Sequence, residues 1–224
     1  MNKAECIFLP GGAGLVGQNL IPRLKALGYT QIVVLDKHSK NVDVLRKLHP
    51  DIEIMEVDLS KPGAWQAEFS RADVVVMLQA QIGGLDYAEF ESNNVHSTEL
   101  ILDAIKPHSK IRLVHISSSV VTSIVDDFYN RSKIAQEQIV LASGITCPIL
   151  RPTLMFGWFD RKHLGWLSRF MKKVPVFPIP GNGKYMRQPL YVGDFCNIVI
   201  SCIEKRAQVE FLIFQGKRKL IMLT

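Results

Sequence analysis

Short runs of Val, Ile and Leu alternate along this chain with longer stretches in which apolar residues return every three or four positions. The short runs have the texture of strands buried on both faces, and the longer ones that of helices laid against a sheet. Strands are predicted over Glu5 to Leu9, Gln31 to Leu35, Ile52 to Val57, Asp73 to Leu78, Ile111 to Ser117 and Pro148 to Leu150. Helices are predicted near Leu15 to Leu27, Val42 to Leu48, Tyr87 to Ile105 and Phe128 to Leu141. The alternation predicts an α/β chain, a doubly wound parallel sheet of Rossmann type. After Arg151-Pro152 the texture changes to Trp, Phe, Pro and Gly with scattered bases, from Phe156 to Arg187, which reads as an inserted lobe. A further helix is expected from Asp194, a good N-cap, to about Glu204. The expected organisation is a sheet domain over 1–155 and a small lobe over 156–224, interleaved with it.

Length and charge narrow this picture without changing it. With 224 residues, 47% of them hydrophobic, the chain can bury one substantial core and a small second lobe. A net charge of +6 suits an anionic ligand such as a nucleotide diphosphate. Its bases are spread, densest over Arg161 to Lys173 and Lys205 to Lys219, and form no block of the kind that grips nucleic acid. Cys6, Cys147, Cys196 and Cys202 contain no CxxC pair and read as buried free thiols in a reducing compartment. The N-terminus passes straight into a short apolar run and a glycine turn, with neither a secretory signal nor a membrane span, so a cytoplasmic protein is expected. The six histidines include no HxxxH or HxH pair, and no metal site is expected.

The segment IFLPGGAGLVGQNLIPRL sets Gly11, Gly14 and Gly17 between an apolar strand and an amphipathic helix. The first glycine permits a tight turn, the second lets backbone N–H groups approach a pyrophosphate, and the third lets helix and strand pack closely. Gly11, Ala13, Gly14, Leu15 and Val16 are therefore expected to line a dinucleotide. The next strand, QIVVLD, ends in Asp36, nineteen positions after Gly17, where a carboxylate would accept from the adenosine ribose hydroxyls and favour NAD over NADP. Lys37, His38 and Lys40 beside it could tolerate a 2′-phosphate instead. Further on, IEIMEVDLS brings Asp58 and Leu59 towards the adenine, and ADVVVMLQA ends in Leu78, Gln79 and Ala80, whose backbone could line the cofactor.

Taken in order, GGAGLVG, Asp36, the VDLS around Asp58, NVHSTELILDAI from Asn94, the serines at 117–119, YNRSK and LRPTLMFG resemble the extended short-chain dehydrogenase/reductase family in its NAD-dependent epimerase/dehydratase branch. The resemblance covers nearly the whole chain. It implies NAD as cofactor, a nucleotide sugar as substrate, and hydride transfer with Tyr129 as general base. Tyr129 and Lys133, four apart, emerge from one face of a helix, where the ammonium is expected to favour the phenolate. Lys133 would also hold the nicotinamide ribose. Laid against the family's fifth strand, Ser118 is the hydroxyl that orients the reacting oxygen, with Ser119 as its alternative. Arg187 falls where relatives keep an arginine for the nucleotide-sugar diphosphate, and an ordinary surface arginine is the competing account. By analogy, the helices around Tyr87 to Ile105 and Phe128 to Leu141 would form a homodimer.

Three features depart from the pattern. Pro10 stands where most members have Thr, Tyr129 follows Ser119 by only ten positions, and the chain stops soon after the Asp194 helix. The short loop and QPLYVGD are similar to an atypical branch, including the dinucleotide-binding subunit associated with respiratory complex I, where the fold binds a cofactor with little turnover. The tail from Phe211 to Thr224 has no clear helix period, and two accounts of it stand side by side, a reading-frame slip and a short family member whose last residues form an edge strand. One choice of codons for those residues, read from the third base, gives FNISGEKKINYVD, which resembles the family's continuation.

Overall fold

The protein is described from a computed structural model over residues 3–174, 176, 186–205, 212–214 and 220–221. In chain order its elements are β1 (Lys3–Pro10), α1 (Leu15–Ala26), β2 (Tyr29–Asp36), α2 (Ser39–Leu48), β3 (Glu53–Glu56) and α3 (Trp65–Glu68). Then come β4 (Val74–Met77), α4 (Tyr87–Phe90), a π-helical turn over Glu91–His96, α5 (Ser97–Ile105), β5 (Arg112–Ile116) and a 3-10 turn over Ser119–Thr122. These are followed by α6 (Phe128–Ala142), β6 (Ile149–Pro152), β7 (Met155–Phe156), α7 (His163–Met171), β8 (Met186–Arg187) and β9 (Leu190–Tyr191). The last are α8 (Val192–Lys205), β10 (Leu212–Phe214) and β11 (Leu220–Ile221).

The main sheet runs β10-β6-β5-β4-β1-β2-β3, with every neighbouring pair parallel. All six expected strands are in it, and β10 adds a seventh. Strand order reverses between β1 and β4, so the loops leaving those two strands diverge to open a crevice at the sheet's carboxyl edge.

Alternation along each strand feeds two apolar layers. Ile7, Leu9, Ile32, Val34, Val74, Val76, Val114 and Ile116 face one side with Leu20, Ile21 and Leu24 of α1 and Phe195, Cys196 and Val199 of α8. Phe8, Val33, Leu35, Val75, Met77 and Leu113 face the other, under Trp65, Phe69, Ile101, Leu102, Ile105 and Val140. Each fully buried side chain of this size contributes roughly 1.5–3 kcal/mol. Because α8 and β10 close the first layer and the sheet edge, the C-terminal stretch is built into the same core as the N-terminal one.

The helix expected near Tyr87 to Ile105 is present over those bounds with a π turn inside it, and the start of the last helix is corrected. The stretch from Tyr87 to Ile105 is one helical run broken by the π turn at Glu91–His96, since an inserted residue there turns Asn94 inward. The last helix starts at Val192 rather than being capped by Asp194, because Val192, Phe195, Cys196 and Val199 all pack inward and Asp194 sits exposed in the first turn. All four cysteines are free and buried. Of the tail, residues 211, 215–219 and 222–224 and the frame-slip expectation attached to them lie outside the described residues, as do 175, 177–185 and 206–210.

Candidate active site

At the end of β1 the chain turns on Gly11, whose φ of 75° is left-handed and strained for any residue with a Cβ. A Cβ there would also lie 2.5 Å from the Cα of Gln79, and one at Gly17 would lie 2.0 Å from the Gly12 carbonyl oxygen. The glycines thus let the β1 and β4 loops touch and let α1 settle on the turn. At Gly14 the nearest atom to such a Cβ is the Gly11 carbonyl oxygen, at 3.3 Å, a tight contact but a much milder one than at Gly11 or Gly17. No side chain caps α1 and no acid lies in its first turn. Its first N–H groups and dipole are thereby left for an anion.

Asp36 closes this end. Its carboxylate accepts the N–H of Ala13 at 3.1 Å and that of His38 at 2.9 Å, and burial nonetheless raises its pKa above the usual carboxylate value. Lys37 is committed elsewhere: its Nζ donates to Asp58 Oδ1 at 3.2 Å and to Asn93 Oδ1 at 2.5 Å. Burial pushes the Asp58 carboxyl up, but the Ser60 hydroxyl and amide together with Lys37 outweigh it and hold the pKa below its usual value. Leu59 and Gln79 are buried, Leu78 is half-buried with its N–H on the Pro10 carbonyl at 2.9 Å, and Ala80 is exposed. The loop glycines, the uncapped helix and Asp36 together fit a dinucleotide.

The second group lies at the carboxyl end of β5. Ser118 caps the 3-10 turn, its Oγ accepting the Val120 N–H at 3.4 Å, and Ser119 opens that turn half-buried. Asp127 caps α6 through the Asn130 N–H at 2.7 Å, and the Asn130 side chain donates back to the Val120 carbonyl. Those bonds place Tyr129 in the first turn of α6, with the Ser118 hydroxyl near enough to its phenol to favour the phenolate. Lys133, one turn on, is 1% exposed; its Nζ donates to the Ile116 carbonyl at 2.9 Å and to Gln136 Oε1.

Here the expected electrostatics are corrected. Burial raises the Tyr129 pKa, opposed by the Ser118 hydroxyl, and the lysine does not depress it. Lys133 is itself lowered to about 7 by burial, against the attraction of Glu137. The ammonium is turned towards the strand and Gln136 rather than to the phenol.

Sequence reasoning assigned no role to several residues that hold this site. Asn94, fully buried, clamps the backbone of Gln81 through Oδ1 at 2.6 Å and Nδ2 at 3.1 Å, and its amide also donates to Ser132 Oγ at 2.9 Å. Glu137 accepts the Ser117 hydroxyl at 2.6 Å and pairs with Arg151, buried between α6 and strands β5 and β6. Asn94 and Arg151 stood inside the motifs NVHSTELILDAI and LRPTLMFG, which was the available signal. Arg187 is exposed on β8, paired through its backbone with Leu220, and much of the stretch before it lies outside the described residues. Among the described residues there is no cluster of metal ligands, and no helix is long and apolar enough to cross a membrane.

A family model described as NAD dependent epimerase/dehydratase family matches residues 7–213. The chain belongs to that family. NAD is the family's cofactor, as Gly11 to Gly17 and Asp36 led one to expect, and the fold agrees with solved members. A Bordetella bronchiseptica enzyme, WbmF, solved with NAD+ and UDP, superposes with a TM-score of 0.82 at 22% identity over 97% of this chain and 73% of its own. The dTDP-glucose 4,6-dehydratase of Bacillus anthracis, solved with NAD, gives 0.84 at 20% identity over 98% of this chain and 78% of its own.

Among curated relatives, the mitochondrial NADH dehydrogenase [ubiquinone] 1 alpha subcomplex subunit 9 of Arabidopsis thaliana is 28% identical over 87% of this chain and 49% of its own length. A dTDP-glucose 4,6-dehydratase of Actinoplanes is 24% identical over 85% of this chain and 70% of its own. The chain spans about half the length of that subunit and of the same-named subunit of Dictyostelium discoideum, which is 24% identical over 87% of this chain and 54% of its own length.

Proposed function

We propose that this chain is an NAD-dependent oxidoreductase of the epimerase/dehydratase kind, acting at a carbinol or carbonyl carbon of a nucleotide sugar. The observation that carries it is the grouping of Ser118, Tyr129 and Lys133 after β5, with the serine hydroxyl near the phenol and the lysine one turn behind on α6, at the carboxyl edge of the sheet that also carries the Gly11 turn. Gly11, Ala13, Gly14, Leu15 and Val16 would hold the pyrophosphate, Asp36 the adenosine ribose, Asp58 and Leu59 the adenine, and Leu78 to Ala80 the inner wall. Bound NAD supplies the hydride acceptor or donor. Everything else falls to the protein. With its pKa raised, Tyr129 is a phenol at neutral pH, suited to give its proton to a carbonyl oxygen and to recover it in the reverse direction. Ser118 orients that oxygen, with Ser119 next to it, and Lys133 holds the nicotinamide ribose.

Asp36 is a carboxylate and Lys37 beside it is bound to Asp58 and Asn93, which supports NAD over NADP, while His38 and Lys40 stay exposed nearby. The lobe after Phe156, with Arg187, would receive the diphosphate. A cytoplasmic setting and a homodimer through α4 to α6 belong to the same proposal. The second reading, a dinucleotide binder with little turnover, is favoured by the likeness to complex I subunits and by the short span from Ser119 to Tyr129.

A panel of nucleotide sugars with NAD(H), followed by chromatography of the products, separates the two. Turnover that drops at least about 100-fold in Tyr129→Phe, with cofactor affinity kept within about twofold, is the expected result. Tight NAD binding with no turnover on any member of the panel would favour the binder.

A further inference from the structure

Behind Tyr129, between the sheet and helices α5 and α6, lies a buried chain of polar side chains that the proposed reaction does not itself use. Gln136 is fully buried on α6, one turn beyond Lys133. Its Oε1 accepts from the Lys133 ammonium while its Nε2 donates to Thr98 Oγ1 at 2.8 Å. Thr98, also fully buried, takes a second bond from Gln79 Nε2 at 3.3 Å and donates its own proton to the Asn94 carbonyl at 2.7 Å. Gln79 in turn abuts the Gly11 turn. A buried glutamine amide has one acceptor end and one donor end, and this one can satisfy both only with its oxygen towards the lysine and its nitrogen towards Thr98.

An ammonium carries three donors, and here two are spent, on the Ile116 carbonyl and on Gln136. Among the described residues no carboxylate bonds Lys133. The titratable or charged groups that face it are His115 from β5, Glu137 from its own helix with Arg151 of β6 attached, and Tyr129 one turn back, while α5 presents Thr98 and the π turn before it Asn94. Both ring nitrogens of His115 lack partners, so that imidazole offers the ammonium no bond. Glu137 has its oxygens on Ser117 and Arg151. The Lys133 charge is thus bonded directly by the neutral dipoles of Gln136 and Ile116, and the attraction of Glu137 acts with them against its desolvation.

We infer that Gln136 is a positioning residue for Lys133: oriented by Thr98, it fixes where the ammonium sits and keeps it charged, leaving its third N–H for the cofactor ribose. The inference rests on the proposal that Lys133 belongs to the reactive set. Its test does not need turnover.

The titration of Lys133 is read directly from the Cε resonances of 13C-lysine-labelled full-length protein, the signal being assigned by its loss in Lys133→Arg. In the parent it is expected to titrate near neutrality, with the value of about 7 that burial imposes. Gln136→Met removes the acceptor at similar volume and should move the midpoint down by about one pH unit or more, because the neutral amine becomes the better-solvated form. Gln136→Glu restores an acceptor with a charge and should move it up.

NAD titrations at pH 8 should follow the same order, weaker by about tenfold in Gln136→Met and recovered in Gln136→Glu. Thr98→Val, which frees the amide without touching the lysine, should shift the midpoint in the same direction as Gln136→Met by a smaller amount, and it serves if the Gln136 variants do not fold. Midpoints unchanged in Gln136→Met and Gln136→Glu, or unchanged in Thr98→Val where only that variant folds, would overturn the inference and leave Gln136 as a space-filling residue. Shifted midpoints in a protein that turns over no substrate would sustain the positioning role while removing the enzymatic reading.

Discussion

At the scale of single residues, the glycine turn separates packing from binding. Gly17 has the Gly12 carbonyl where its Cβ would go, so Gly17→Ala must push α1 off the turn, a clash of a kind that costs about 1–3 kcal/mol. Gly14 is far less crowded, so Gly14→Ala should cost less stability than Gly17→Ala yet bind NAD less well, its methyl group occupying the approach to the helix N-terminus. Urea unfolding and calorimetric NAD titration on the two variants check this; equal losses of stability would refute the distinction. His115 gives a pH dependence. Burial, reinforced by Lys133, holds its imidazole neutral to well below its ordinary value near 6.5. As pH falls through 6.5 the unfolded chain gains a proton that the folded chain refuses, so stability contributed by neutral His115 is present above that pH and lost below it. The urea midpoint should therefore drop between pH 7 and pH 5, and drop less in His115→Phe, whose ring fills the site without titrating. An identical slope in both proteins would count against it.

At the scale of elements, α6 is attached to the sheet by charge as well as by apolar contact. Glu137 of α6 holds Ser117 after β5 and Arg151 of β6 in one buried cluster, the pair being 7% and 17% exposed. Removing one partner strands the other's charge in the interior, so Glu137→Leu or Arg151→Met should each destabilise by about 3–5 kcal/mol. The double variant should lose much less than the sum, because both desolvation costs disappear together. Denaturation of all four proteins in the cycle measures the coupling, and simple additivity would show that the pair contributes through shape alone. The π turn acts at the same scale. It aims Asn94 at Gln81 and Ser132, and so joins the β4 loop to the helix that carries Tyr129 and Lys133.

For the whole molecule, a ligand at the switch point touches loops from β1, β2 and β4 and should stabilise the fold as a unit. At one hundred times its Kd, NAD is expected to add about 2.7 kcal/mol, which for a chain of this size raises Tm by about 5–10 °C. NADP at equal concentration should raise it much less, since Asp36 is a carboxylate and Lys37 is already bonded. Thermal melts with both nucleotides decide it. What the sequence by itself determined were the features written in short-range periodicity and spacing: six strands, the helix faces, the Gly11 turn, Asp36 at a strand end, and Tyr129 and Lys133 on one face of a helix. These follow from backbone geometry over a few residues. Only the tertiary structure decided where the Lys133 ammonium points, that the Tyr129 pKa rises rather than falls, and that Asn94, Thr98, Gln136 and Glu137 support the site. The physical reason is that desolvation and buried hydrogen bonds depend on groups far apart in sequence, as with Thr98 and Gln136, 38 positions apart and bonded at 2.8 Å. No local pattern records which of two dipoles will meet a charge once water has been excluded.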